Sequence, residues 1–387
     1  MPGGGGPGTP LAAGAAASGR GGGRQVSILL PLSGPNADVG QPMLKAAQLA
    51  LDGPGAPALS VRDTGGTPEG AAAAARAAVA AGDALILGPL TSAETGAVAP
   101  IAQAAQIPVL AFTNDPAQAR PGVWPLGITP IQQVRRLVGA AQEQGKSTFA
   151  GLLPDSAFGH AMGAALLQTA GGSQVRYYAP GMGSITAATR DISGYASRRG
   201  PIDAQIKAAR ALDTPEGRKQ AQELARQGVP PAPFDSLLLA DTGVALSEVA
   251  SLLPYYDVPT GPGRMLGPAL WSLPSSGAGA LPGAWYAAPD PAARTGFDQA
   301  YTAKYGSAAP PLADLAFDAA AIARALDTRQ GVSVAALTQP QGFAGSDGLI
   351  ILLPDGHVRR GLAVFEVQRG GPQIIAPAPA SPSAPGV

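Results

Sequence analysis

The feature that most limits how this chain can fold is an alternation over residues 25–125. Four short apolar runs, QVSILLPL (25–32), ALSVRD (58–63), ALILGPL (84–90) and PVLAFTN (108–114), are separated by alanine-rich stretches with helical patterning at 41–51, 68–81 and 91–105. Short strands that are apolar on both faces and divided by helices require a parallel sheet covered on both sides. In such sheets ligands gather at the carboxyl ends of the strands. Here those ends carry Ser33-Gly34, Asp63-Thr64-Gly65-Gly66, Thr91-Ser92 and Thr113-Asn114. Hydroxyls, amides and free backbone suit holding a molecule rather than transforming it.

The alternation resumes further on. A helix over 129–144, with a Thr129 cap, leads to a strand at 148–153, a helix at 156–169 and a strand at 174–178. Residues 181–233 form a long connection, with a polar helical piece at 202–226 interrupted near Thr214-Pro215. A strand at 236–240, a helix at 244–253 and a strand at 264–270 continue this second series. A strand at 284–287 and helices at 292–305 and 313–326 mark a return to the first. Strands at 348–353 and 362–368 are joined through Pro354-Asp355-Gly356 as a hairpin. The expected architecture is α/β and two-lobed, each lobe a parallel sheet flanked by helices. Lobe one takes 25–130 plus 282–337, and lobe two 131–281 plus 338–370. Residues 1–24 (Gly/Ala-rich) and 371–387 (Pro/Ala-rich) are expected to be disordered.

Composition removes several function classes. The 26 basic and 26 acidic residues cancel without a basic block, which argues against nucleic acid and anionic membrane surfaces as partners. With no cysteine there are no disulfides, thiolate metal sites or cysteine nucleophiles. His160 and His357 are the only histidines and neither belongs to a ligand-spaced motif, so no metal site, cofactor or catalytic residue is expected. Apolar runs fall far short of the roughly 20 residues of a membrane span. The N-terminal 24 residues lack a charged n-region and an apolar h-region. For an exported protein, a signal segment would therefore lie upstream.

Individual motifs have plain structural readings beside functional ones. Asp63-Thr64-Gly65 and Asp241-Thr242-Gly243 repeat the triplet of paired-carboxylate proteases. However, Gly66 and Val244 follow where those sites place Ser or Thr, and each triplet closes a strand before an alanine-rich helix. Thr91-Ser92 opens a helix, where it serves as a cap and can also present an anion site. Thr113-Asn114 precedes Asp115-Pro116 in a turn. Phe158 could close over a ligand from the second lobe or pack in its core, and for Tyr255-Tyr256 and Trp271 burial is the default. The glycine runs at 3–6 and 21–23 lack the strand and Lys-Ser/Thr of a phosphate loop.

Together, VSILLPLSGPNADVGQPMLKAAQLAL (26–51), DTGG (63–66), ILGPLTS (86–92) and IPVLAFTND (107–115) resemble the opening lobe of type I periplasmic binding proteins, such as the leucine/isoleucine/valine-binding proteins. FAGLLPDSAFGHAMGAAL (149–166), FDSLLLADTG (234–243) and MLGPALWS (265–272) continue the likeness. Within that superfamily, ALILGPLTS, the Gly127–Pro130 entry and SLLPYYDVP (251–259) look more like the penicillin-binding-protein activator lipoproteins. The resemblance implies a non-enzymatic periplasmic regulator whose partner is a peptidoglycan synthase. The activator branch further implies an outer-membrane anchor through a lipobox upstream of this start. The alternative is the substrate-binding component of an ABC permease for an amino acid or related small solute. Residues 267–274 offer no acidic group for a ligand ammonium, which disfavours a free amino acid unless Asp241 serves. If a ligand binds, Ser33, Thr91, Ser92, Thr113 and Asn114 are expected to hold it from lobe one, with Phe158 and Asp241 closing from lobe two.

Overall fold

A computed structural model describes residues 9–10, 25–326, 328 and 331–382. The first sheet has five parallel strands in the order Leu59–Asp63, Val26–Leu30, Leu85–Leu87, Val109–Ala111 and Val123–Pro125. Side chains alternate across a strand, so Val26, Ile28 and Leu30 face one layer and Leu29 the other. The first three pack with Met43 and Ala47 of helix Ala37–Ala50 and with Ala316 and Ile322 of helix Ala313–Ala325. Leu29 packs with Ala71, Ala75 and Ala78 of helix Pro68–Ala81 and with Val98 and Ala99 of helix Ser92–Ala104. Both faces are therefore covered, as the apolar runs require. The strand Val123–Pro125 was not foreseen. It holds the fully buried Trp124, whose indole Nε1 donates to the Leu353 carbonyl at 2.7 Å.

The second sheet has seven strands in the order Gln373–Ala376, Ala363–Glu366, Trp285–Ala288, Met265–Gly267, Ser236–Leu239, Phe149–Pro154 and Gln174–Tyr178. The last five are mutually parallel, Ala363–Glu366 runs antiparallel to them, and Gln373–Ala376 pairs antiparallel with Ala363–Glu366. Three boundary expectations are corrected here. Trp285–Ala288 does not return to the first lobe. All four residues are buried, and Tyr286 stacks on Phe365 with ring centroids 5.0 Å apart, inside the second sheet. The turn after Leu353 does make a hairpin, but Gly348–Leu352 pairs with Val358–Arg360 rather than with residues 362–368. That hairpin and Phe343–Gly345 form a small separate sheet. Its Phe343, Ile350, Leu352 and Val358 share the apolar cluster of the first lobe, so the stretch 343–360 belongs there and not to lobe two.

Within the expected terminal tails, Gln373–Ala376 forms an edge strand and Thr9–Pro10 pairs with Phe343–Ala344. Residues 1–8, 11–24 and 383–387 lie outside the described residues. The long connection contains three helices, Met182–Ile192, Tyr195–Ala211 and Pro215–Arg226. The expected break falls at Thr214, whose hydroxyl caps the last of them through Gly217 N at 3.0 Å. The chain passes between the lobes at 126–129, 289–290 and 361–362. Among the described residues no helix is long and apolar enough to cross a membrane.

Candidate functional site

The site is built on the carboxyl ends of the first sheet. After Leu85–Leu87 the chain turns at Gly88-Pro89, and Thr91 starts helix Ser92–Ala104 with a reciprocal cap. Glu94 N donates to the Thr91 hydroxyl at 3.2 Å, and Thr91 N donates to Glu94 Oε2 at 3.0 Å. The Thr91 hydroxyl in turn donates to Glu94 Oε2 at 2.8 Å, while Glu94 Oε1 accepts from Thr64 at 2.5 Å. After Val109–Ala111 come Thr113, whose hydroxyl accepts from Asp115 N at 3.1 Å, and the exposed Asn114. The Ser92 hydroxyl donates to Asp115 Oδ2, and Gln118 Nε2 donates to Ser92 at 3.0 Å. Burial raises the Asp115 pKa, but hydrogen bonds from Ser92, Ala117 N and Gln118 outweigh it and leave the carboxyl below its ordinary range.

Thr91, Ser92, Thr113 and Asn114 line one wall of a cavity of about 820 Å³. Ser272 reaches it from the second lobe, and Ile128 and Pro289 come from two of the crossings. Leu90, Phe112 and Leu315 supply apolar lining. The lining also carries charges that motif reading missed. Arg294 Nη1 lies 2.7 Å from Asp314 Oδ1 and 3.6 Å from Asp347 Oδ1. Behind them, the buried Arg360 places Nη2 3.8 Å from Asp347 Oδ2, and the fully buried Asp318 accepts from Ser346 N at 2.7 Å. Burial, the Asp314 charge and a hydrogen bond to Asp314 push the Asp347 carboxyl up to about 8. Burial also raises Asp314, but the hydrogen bond from Asp347 and the Arg294 charge bring it below its ordinary value. Coupling between the two carboxyls thus favours the protonated form of Asp347 beside an ionised Asp314. One local signal was available: Asp314 and Asp318 lie four apart in ADLAFDAAAIARA, a helix otherwise apolar almost throughout.

Three expected residues do not line the cavity. The Ser33 hydroxyl donates to Asp63 Oδ2 at 2.5 Å, and this bond, with those from the backbone N–H groups of Gly65, Leu32 and Ser33, holds Asp63 below the usual range despite some burial. The turn needs glycine at Gly66, whose φ is +69° and where a Cβ would meet the Pro35 carbonyl oxygen at 2.4 Å. Phe158 packs half-buried against the cluster of Val134, Leu137 and Met162. Asp241 accepts from the Tyr178 hydroxyl at 2.8 Å, and its carbonyl accepts from Trp271 Nε1 at 3.0 Å. Burial, the Asp241 charge and the hydrogen bond push the Tyr178 phenol up. Asp63 and Asp241 are each held within their own lobe and no hydrogen bond joins them, so they do not form a carboxylate dyad. Trp271 and Tyr256 are buried, whereas Tyr255 is exposed. Among the described residues no cluster of three or more His, Cys, Asp or Glu could hold a metal ion.

A family model described as periplasmic binding protein matches residues 25–372. The chain belongs to this family. Solved structures agree on the two-lobed type I fold. A protein from Rhodospirillum rubrum described as a branched-chain amino acid ABC transporter is 20% identical over 91% of this chain and 100% of its own, with a TM-score of 0.65. Full-length LpoA from Haemophilus influenzae is 16% identical over 92% of this chain, which spans 60% of LpoA, with a TM-score of 0.63. A leucine-binding protein LivK from Thermotoga maritima is 19% identical over 92% of this chain and 98% of its own, with a TM-score of 0.51. At these identities the likeness establishes fold alone. No curated protein sequence matches the chain.

Proposed function

We propose that this protein is a non-enzymatic periplasmic regulator of peptidoglycan synthesis that acts by contact with a penicillin-binding protein. One observation carries the reading: the Thr91 and Ser92 hydroxyls of the cavity are engaged within lobe one, and the expected Ser33 and Asp241 are engaged away from it. Thr91 donates to Glu94, Ser92 to Asp115 and Ser33 to Asp63, while Asp241 accepts from Tyr178. Arg294, the one cation on the cavity wall among the described residues, is paired with Asp314. Residues 267–274 contribute only Ser272 to the cavity, and no acid. A zwitterion entering would have to break these bonds, and its ammonium would gain no partner from that segment. The fold is shared with LpoA and with the ABC-transporter binding proteins alike, so the reading rests on the site and not on the likeness. The test is a purified synthase assayed for glycan polymerisation and cross-linking with and without this protein. A saturable rise in rate is expected, and an unchanged rate across candidate synthases from the same cell would contradict it.

A second reading, a solute receptor for an ABC permease, is favoured by the volume of the cavity and its position between the lobes. Asn114 and Thr113 would then face the ligand, and closure would be a rigid-body movement about the crossings.

A further inference from the structure

A second groove, of about 380 Å³, lies away from the cavity described above, between helices Pro130–Glu143 and Ala157–Thr169 and the turn that joins Gly348–Leu352 to Val358–Arg360. The placement of its charges follows from local geometry. Gln132 Nε2 donates to the Val358 carbonyl at 2.6 Å, which fixes this face of the helix against the small sheet. Arg135 is three residues on, and so on the same face. In the facing strand Val358 and Arg360 are buried and point inward, so the intervening Arg359 points out into the groove.

Neither guanidinium has a carboxylate. Arg135 and Arg359 make no ion pair or side-chain hydrogen bond with any described residue, and Arg359 Nε is shut off from solvent without an acceptor. The one acid on the rim, Asp355, is turned to His357, accepting from its backbone N–H at 3.0 Å and lying 3.2 Å from its Nδ1. Arg359 also lies close enough that its charge, after burial, depresses the Arg135 pKa. Two half-buried like charges, held together by packing and left unpaired, are costly unless an anion joins them.

We propose that this groove binds a small multivalent oxyanion, phosphate- or carboxylate-bearing, clamped between Arg135 and Arg359. Guanidinium groups take two oxygens of such a group at once, which suits a narrow groove. Because Arg135 belongs to a helix packed in the second lobe and Arg359 to the small sheet packed on the first, a bound anion would tie the lobes in this arrangement.

The experiment is calorimetric titration of the full chain with pyrophosphate, inorganic phosphate and citrate at constant ionic strength. It compares wild type, Arg135→Gln, Arg359→Gln and the surface control Arg210→Gln. Saturable one-site binding is expected in wild type and in Arg210→Gln, weakened roughly tenfold or more in the two groove variants. Tighter binding of the phosphates or of citrate identifies which oxyanion the groove prefers. Equal affinity in all four proteins, or no saturable binding of any probe, would overturn the proposal. Thermal unfolding without anion gives an independent reading. Arg359→Gln should raise the melting temperature at low salt, because it relieves the repulsion, and a lowered one would mark Arg359 as a purely structural residue.

Discussion

Replacing Asp347 by Asn tests the charge arrangement on the cavity wall. Asp347 is 6% exposed, hydrogen-bonded to Asp314 and beside Arg294. Its native carboxyl keeps its proton up to about pH 8, whereas in the unfolded chain it ionises near 3.8. A raised native pKa contributes stability that is fully present below the unfolded value and is lost as pH rises through the folded one. For a midpoint near 8, the loss between pH 7 and pH 9 is on the order of 1 kcal/mol, the linkage of one proton released across that interval. Asparagine is neutral at both pH values and can still donate to Asp314, so Asp347→Asn should lack this loss. Urea unfolding at pH 7 and pH 9, at matched ionic strength, reads the difference. Titrating groups away from this wall are common to both proteins and cancel. The variant should gain on the order of 1 kcal/mol on wild type over that interval, a few degrees in melting temperature. Parallel losses in the two proteins would show that Asp347 is ionised at pH 7.

Three further substitutions probe the frame around the site. Ser92→Ala removes the hydroxyl that donates to Asp115. It should raise the Asp115 pKa, measurable by carboxyl NMR titration, and cost about 1 kcal/mol in urea unfolding. Asp83→Ala strands Ser27 and Arg62, which both donate to this 2%-exposed carboxylate, and should cost about 2–4 kcal/mol by the same assay. Gly66→Ala places a Cβ 2.4 Å from the Pro35 carbonyl at φ +69°, and should lower the melting temperature by several degrees, with loss of about 1–3 kcal/mol.

What the sequence revealed was local, and what it concealed was assembled from distant segments. The cap at Thr91 is legible because its hydroxyl bonds a backbone N–H three residues away, whereas the Thr129 hydroxyl, expected to cap its helix in the same way, is buried without a partner. The first sheet is legible because its strands follow one another in βα order with only the first two exchanged. The charged wall is not, since Arg294, Asp314 and Asp347 lie on three segments that meet only in the folded chain. Asp241 was expected to face the cleft because it follows a strand, but Tyr178, 63 residues earlier, turns its carboxylate aside. Trp285–Ala288 carries no sign of its sheet, as four consecutive apolar residues would fit the interior of either lobe.

The central claim is that Thr91, Ser92 and Arg294 of the interlobe cavity are already engaged within the protein and that the protein works through a protein partner. Thermal unfolding against a panel of free amino acids, short peptides and muropeptides tests it most directly. A ligand at 100 times its dissociation constant adds about 2.7 kcal/mol, a shift of several degrees. The account predicts no saturable shift that Asn114→Ala abolishes, with any member of the panel. A saturable shift with one chemical class, abolished by Asn114→Ala, would contradict it and make the protein a solute receptor.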